Sequence, residues 1–365
     1  MSENGPCDDC LRRTWLLGRL GSHLERAREQ GRRLPLVLGL PDDELIEALG
    51  GGQHDSVVRD YERFRPTPAR EAINAAGLEA VCRCDEERYP AALAGGEDAP
   101  AILHVAGGLD RLLELIERDP VAIVGARRGS SYGLEVARGL GRGLAAAGVT
   151  VVSGMALGID AAAHIGALET GVTVAVLAGG ADRAYPARHR GLYERILERG
   201  VAIAELPPGA APWRWSFPAR NRLIAGLAWL TVVVEAGERS GSLITADFAA
   251  QLGRDVGAVP GHVTSPLATG THGLLAAGAA LVGDAQDVLD LLAAQGGPAR
   301  SAPERPQPAQ PRLRAMLDEI AAGRDTVGRL VGAGVAIDEA LAGLVELEAL
   351  GHIRREIGGH LVVVP

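Results

Sequence analysis

Phe217-Pro218-Ala219-Arg220-Asn221-Arg222, Thr231-Val232-Val233-Val234-Glu235 and Gly241-Ser242-Leu243-Ile244-Thr245-Ala246 follow one another in this chain. Their order predicts a basic helix, a buried strand, a glycine-rich turn and a second helix. In a parallel sheet, this order places two arginines and the amides of a helix start near the carboxyl ends of the strands. Guanidinium groups and free amides both donate hydrogen bonds to phosphate oxygens. This segment therefore predicts phosphate binding.

Working outward, apolar runs alternate with helical stretches through the central part of the chain. The runs are Ala122–Val124, Val149–Val152, Val172–Leu177, Val201–Ala204, Thr231–Val234 and Val256–Val259. Short continuous runs of Val, Ile and Ala between helices are typical of a parallel sheet that is covered on both faces. We predict an α/β fold with a Rossmann-like, doubly wound, mostly parallel sheet, in residues 76–293.

The flanking segments indicate further domains. Residues 1–75 predict a small helical domain of SAM or helix-hairpin-helix type, with one long helix at 11–30 and a break at Pro66 and Pro68. Residues 294–311 are rich in proline and predict a linker. Residues 312–365 predict three helices and a hairpin with a Gly358-Gly359 turn, which is a winged-helix pattern. The longest of these helices carries four acidic residues and no basic one, so we expect it not to read DNA.

Composition limits the partners. The 365 residues carry a formal net charge of −9, and all 37 basic residues are arginines. The chain lacks the large excess of basic over acidic residues that is usual in nucleic-acid-binding proteins. A local basic patch is still compatible with this charge, because surface fields decay over about 8 Å at physiological salt. With neither a signal peptide nor a membrane-length apolar run in the sequence, we expect a cytoplasmic protein without membrane contact.

The turns that end the predicted strands carry the candidate DNA and phosphate ligands. They offer guanidinium groups, hydroxyls, and glycines that permit close backbone approach. These candidates are Gly125, Arg127, Arg128, Ser153, Gly154, Arg183, Arg188, Arg220, Asn221, Arg222, Gly241, Ser242 and Thr245.

The remaining polar and aromatic residues give weaker signals. Trp213 and Trp215 stand beside arginines and could stack on bases or simply staple their loop, and the sequence leaves both open. Phe217 and His164 are expected in the core. Glu235 is the only carboxylate placed like a catalytic group, and no nucleophile–base pair accompanies it. The pattern therefore favours binding over catalysis.

Four cysteines form a C-x-x-C (Cys7, Cys10) and a C-x-C (Cys82, Cys84). Such pairs can assemble a tetrahedral zinc site. The two pairs lie far apart in the sequence, so we favour four reduced thiols and expect neither a metal nor a cofactor.

Several motifs, in order, resemble the DNA processing protein A family (DprA, also called Smf). They are Ile123–Arg127 with Tyr132-Gly133, Ser153–Ala156 with Gly158–Asp160 and His164, Tyr185-Pro186, Phe217–Arg222, Gly241–Ala246 and Val259–Gly261. The resemblance spans about residues 79–283, and Arg127 matches the arginine of the family's glycine–small–arginine turn. His189 and His272 stand where the family often has Asn.

This resemblance implies a non-enzymatic protein that binds single-stranded DNA, forms a homodimer and loads the RecA recombinase in natural transformation or recombination. The alternative is a phosphoribohydrolase-like enzyme that acts on nucleotides, for which Glu235 and Gly241-Ser242 are a partial match.

Overall fold

The computed structural model describes residues 5–302, 308–355 and 359–363. The chain divides into two compact units, residues 1–302 and 303–365. None of the helices within the described ranges is long and apolar enough to span a membrane. The predicted domain boundaries at residues 75 and 293 stay predictions.

A nine-stranded sheet forms the centre of the first unit. Its strands are β1 (Glu79–Cys82), β2 (Ile102–Ala106), β3 (Val121–Val124), β4 (Val151–Ser153), β5 (Thr173–Gly180), β6 (Val201–Leu206), β7 (Leu230–Val233), β8 (Asp255–Ala258) and β9 (Ala280–Leu281). Their spatial order is β1-β2-β6-β5-β4-β3-β7-β8-β9. From β6 to β9 all neighbours are parallel, whereas β1 and β2 extend the sheet with antiparallel pairings. The predicted doubly wound, mostly parallel sheet is confirmed.

The strand order changes direction next to β3. Strands β4, β5 and β6 follow on one side of β3, and β7, β8 and β9 follow on the other. In doubly wound sheets, ligands bind at such a switch point, outside the carboxyl ends of the strands. We call the edge at which the parallel strands β3 to β8 end the carboxyl edge.

Helices cover both faces of the sheet. In the first unit they are α1 (Asp8–Arg19), α2 (Gly21–Glu29), α3 (Leu34–Leu38), α4 (Asp42–Gly50), α5 (His54–Glu62), α6 (Pro66–Ala75), α7 (Ala91–Ala94), α8 (Leu109–Ile116), α9 (Ser131–Ala146), α10 (Ile159–Thr170), α11 (Arg190–Arg199), α12 (Ser216–Leu227), α13 (Gly241–Gln251), α14 (Thr269–Ala276) and α15 (Ala285–Ala294). One core joins α8, α12 and α13 to the sheet, and another joins α9, α10 and α15. Burial of these aliphatic side chains supplies the main driving force for folding.

Two expectations for the N-terminal segment are wrong. Residues 11–30 form two helices, since α1 ends at Arg19 and α2 begins at Gly21. Pro66 does not break the chain but starts α6, because a helix's first turn needs no amide donor from proline. These helices pack around Trp215 and Leu206, so they share a core with the sheet unit.

The second unit contains α16 (Pro311–Ala321), α17 (Val327–Gly332), α18 (Ile337–Ala349), β10 (Ile353–Arg355) and β11 (Leu361–Val363). The two strands pair antiparallel, and the helices bury Leu313, Leu330 and Leu344. Three helices followed by a hairpin match the predicted element order, and the winged helix itself stays a prediction. Gly358 of the predicted turn lies outside the described residues.

Candidate nucleic-acid interface

The turn after β3 lies at the switch point and carries two exposed arginines, Arg127 and Arg128. Gly125 is required at its start, because a Cβ there would lie 2.7 Å from Ile159 and 2.9 Å from the carbonyl oxygen of Glu235. Within the described ranges, the amides of Arg127, Arg128 and Gly129 have no hydrogen-bond partner. This exposed turn thus combines two cations with three available donors, a combination suited to phosphate.

Arg127 is part of an exposed aromatic cluster. Its guanidinium carbon lies 4.9 Å from the centroid of the Phe217 ring. Phe217 in turn lies 5.6 Å from the ring of Tyr185, which is 45% exposed. Phe217 is half-buried at the first turn of α12, so its expected place in the core is wrong. The cluster is defined as Arg127, Phe217 and Tyr185, and it offers a cation and two rings for stacking bases.

Arg220 follows Phe217 by three residues in α12 and is buried. Its guanidinium donates to the carbonyl oxygen of Gly154, just after β4, at 2.6 Å, and to that of Val176 in β5. A Cβ on Gly154 would collide with it. Burial, opposed by the charge of Asp160 and assisted by that of Arg127, lowers the pKa of Arg220 to about 10. Arg220 therefore joins α12 to β5 and to the turn after β4, and its charge acts on that of Arg127.

Arg222 is also buried, but it is neutralised. Its guanidinium lies 2.8 Å from Glu205 and 3.1 Å from Asp98. Burial disfavours the charged form, yet the two carboxylates raise the pKa of Arg222. We assign Arg222 a structural role, since removing one member of such a group would leave a buried charge without compensation.

At the carboxyl edge, side chains of the protein itself already accept hydrogen bonds from amides at or just before the starts of three helices. At α9, the Glu235 carboxylate accepts from the Ser130 amide at 2.8 Å, and Ser130 Oγ accepts from the Gly133 amide. At α10, Asp160 accepts from the amides of Gly154 and Ala156. At α13, Ser240 caps the helix by accepting from the Ser242 amide. The predicted cradle of helix amides is thus largely used within the protein, which leaves the exposed side chains and the free amides of the turn after β3 for any phosphate contact.

The other candidates divide into exposed and buried groups. Arg183 and Arg188 are exposed in the segment after β5, and Arg183 lies 3.4 Å from Asp182. Asn221 is half-buried and donates to the carbonyl oxygen of Gly241 at 3.1 Å, which ties α12 to α13. The hydroxyl-bearing candidates Ser153, Ser242 and Thr245 are all buried. The exposed basic set is therefore Arg127, Arg128, Arg183 and Arg188.

The structure also places the residues whose roles were open. Trp215 is 1% exposed and lies in the core with the N-terminal helices, while the Trp213 ring packs on Gly21 of α2. Both tryptophans therefore anchor their loop against the N-terminal helices. His164 is fully buried beside Thr173, and burial lowers its pKa to about 3, so its expected core position is confirmed.

Comparison with known proteins identifies relatives of this chain. Residues 80–293 match the sequence model of the family described as DNA recombination-mediator protein A. The chain is 38% identical to the protein Smf of Escherichia coli over 333 residues, 87% of each chain. The X-ray structure of DNA processing protein A from Streptococcus pneumoniae superposes with a TM-score of 0.62 at 33% identity, covering 77% of this chain and 95% of that one.

A second solved structure adds a ligand class. DNA processing protein A from Helicobacter pylori superposes with a TM-score of 0.53 at 28% identity, covering 60% of this chain and 96% of that one. The Helicobacter pylori protein is described as having a unique single-stranded DNA binding mode.

Proposed function

Since this chain belongs to the DNA recombination-mediator protein A family, we propose that it binds single-stranded DNA at the carboxyl edge of its parallel sheet. The contact surface is the aromatic cluster of Arg127, Phe217 and Tyr185 together with Arg128, Arg183 and Arg188. A single strand exposes both its phosphates and the faces of its bases, and this surface offers a complement to each.

The Arg127–Phe217 contact is the observation that carries the proposal. It joins the guanidinium of Arg127 and the half-buried ring of Phe217, 4.9 Å apart, at the switch point of the sheet. Duplex DNA buries its base faces in stacking, so a ring at this position favours the single strand. The neighbouring free amides of the turn would contact the phosphate that follows the stacked base.

The negative total charge is compatible with this role. Within the described part of the chain, Arg127, Arg128 and Arg188 have no ion-pair partner, unlike Arg138, for example, which pairs with Glu169. Uncompensated charge is what releases counterions from DNA. The local field at the carboxyl edge, rather than the sum over the molecule, governs binding, because distant charges are screened.

The proposal extends to a role as a recombination mediator. We propose that the protein acts without catalysis, forms a homodimer in the cytoplasm, protects incoming strands and hands them to the RecA recombinase. Membership of a family of recombination mediators supports this role. The engagement of Glu235 with Ser130 argues against the alternative of a nucleotide phosphoribohydrolase, because that carboxylate is not free to act on a substrate.

A titration against single-stranded and double-stranded DNA of equal length tests the proposal. We expect clearly tighter binding of the single strand, and faster filament formation by RecA on strands coated with this protein. Equal affinity for both DNA forms would contradict the proposed site. Release of free base from a nucleoside monophosphate would instead establish the enzymatic alternative.

A further inference from the structure

The four cysteines of the chain lie together at one place in the first unit. The sulfur atoms of Cys7, Cys10, Cys82 and Cys84 all lie within 4.8 Å of one another. Cys84 Sγ is 3.7 Å from Cys7 Sγ and 3.6 Å from Cys10 Sγ. These separations are too long for a disulfide, whose sulfurs are about 2.05 Å apart. The expectation of four reduced thiols without a metal relied on the distance between the two pairs in the sequence, and the fold removes that argument.

The separations match a single tetrahedral metal ion. A zinc–thiolate bond of about 2.3 Å places the four sulfurs of a regular tetrahedron about 3.8 Å apart. The observed contacts of 3.6 and 3.7 Å are close to that edge. A four-iron cluster would hold its cysteine sulfurs much farther apart, because the metal–sulfide core lies between them. The arrangement fits one soft, tetrahedral ion.

Two separate pieces of backbone supply the sulfurs. Cys7 is the residue before α1, and Cys10 lies in the first turn of that helix. Cys82 ends β1, and Cys84 lies in the turn that follows. A C-x-x-C at a helix start facing a second pair is the geometry of a structural zinc site.

The four cysteines differ in how far they are buried. Cys10 and Cys82 are buried, Cys7 is half-buried and Cys84 is exposed. The exposed sulfur gives a metal ion a route from solvent, and the buried pair fixes the other side of the site. Because four protein ligands fill a tetrahedral ion completely, such a site leaves no open position for a substrate.

We propose that Cys7, Cys10, Cys82 and Cys84 bind one zinc ion, which joins α1 to the antiparallel edge of the sheet at β1. The ion cross-links segments separated by more than seventy residues, and so it stabilises the packing of the N-terminal helices on the sheet. It is a structural site and takes no part in binding DNA.

Metal analysis of the full-length protein, purified without added metal, tests this proposal. We expect one zinc ion per chain, and cobalt exchanged into the site should show the intense visible absorption of tetrahedral thiolate coordination. Cys84→Ser changes an exposed atom and leaves the core intact, so a folded variant is expected, with zinc lost and the melting temperature lowered. Glu86→Gln, an exposed neighbouring change, should retain the zinc.

Three results would overturn the proposal. The first is metal-free protein in which all four thiols react with a thiol reagent. The second is stoichiometric zinc in the double variant with Cys10→Ser and Cys84→Ser. The third is iron in place of zinc.

Discussion

The Glu235 carboxylate, two residues after β7, accepts two hydrogen bonds from Ser130 at the start of α9, one from the amide at 2.8 Å and one from Oγ at 2.5 Å. Gly133 permits this arrangement, because a Cβ there would collide with the carboxylate. The start of α9 at the switch point, a usual place for a ligand phosphate, is therefore filled by the protein's own anion. Any phosphate must bind at the neighbouring exposed turn of Arg127 and Arg128.

Glu235→Gln tests this structural role. The substitution removes the charge and turns an amide group toward Ser130, so we expect a loss of about 1–3 kcal/mol in the free energy of unfolding. Affinity for single-stranded DNA should be unchanged or slightly higher, because a negative charge near the strand is removed. Denaturant titration and fluorescence anisotropy measure the two quantities.

Glu238→Gln is the matched control, since Glu238 is exposed in the next turn and should affect neither stability nor binding. If Glu235→Gln left stability intact but abolished DNA binding, the carboxylate would belong to the ligand site.

Arg127→Ala should weaken binding of single-stranded DNA and reduce its salt dependence. The loss of one phosphate contact lowers the slope of log K against log salt by about 0.7. Arg118→Ala removes the same charge at the opposite edge of the sheet, since Arg118 precedes β3 whereas Arg127 follows it. We expect that control to bind normally. An equal effect of both variants in a gel-shift series would point to a general charge effect and remove Arg127 from the site.

Phe217→Ala should weaken binding without changing the salt slope, because the ring contributes stacking and no charge. Stacking worth about 1–3 kcal/mol per base corresponds to a loss of about 5- to 150-fold in affinity. The Phe217→Tyr variant keeps an aromatic ring in contact with Arg127. It should bind single-stranded DNA with nearly the affinity of the unsubstituted protein. Anisotropy titrations at three salt concentrations separate the two contributions. A lower salt slope for Phe217→Ala would show that the ring acts only by positioning Arg127.

Removal of the second unit should leave most of the DNA affinity intact. A chain that ends at Ala302 retains the whole first unit and every residue of the proposed contact surface. Helix α18 carries Asp338, Glu339, Glu346 and Glu348, which repel phosphate. The change in affinity for single-stranded DNA should be less than about threefold, because no phosphate contact is lost. A larger loss would place a DNA contact in residues 303–365.

Periodicity and composition predicted the central architecture correctly. All six apolar runs became parallel strands, because a strand buried on both faces requires a continuous apolar sequence. The antiparallel strands β1 and β2 were not predicted; β1 has only four residues, of which the last two are buried. The turns with Arg127 and Arg128 were also located, because the glycine and arginines lie next to a strand end in the sequence.

Burial of individual polar groups could not be predicted in the same way. Arg220 and Arg222 look equivalent in the sequence, yet one contacts carbonyl oxygens and the other contacts Glu205 and Asp98. These partners come from distant parts of the chain, and only the tertiary fold brings them together. For the same reason, the sequence did not predict that the cysteines lie together or that Phe217 is only half-buried.

Arg222→Ala separates a structural arginine from a DNA-binding one. The substitution would leave the carboxylates of Glu205 and Asp98 without their cation. The Glu205 side chain is 10% exposed and that of Asp98 is 27% exposed, so both are mostly buried. Breaking a buried ion pair in this way costs about 3–5 kcal/mol. We therefore expect a large decrease in the free energy of unfolding by denaturant. Any protein that stays folded at low temperature should keep the salt slope of DNA binding seen in the parent.

Arg222→Met in combination with Glu205→Leu removes both charges and should recover part of the lost stability, because no buried carboxylate of that pair is left uncompensated. A reduced salt slope in the folded fraction of Arg222→Ala would contradict this assignment. In that case, the guanidinium would have to reach a phosphate despite its burial, and the ion pairs with Glu205 and Asp98 would have to open on DNA binding.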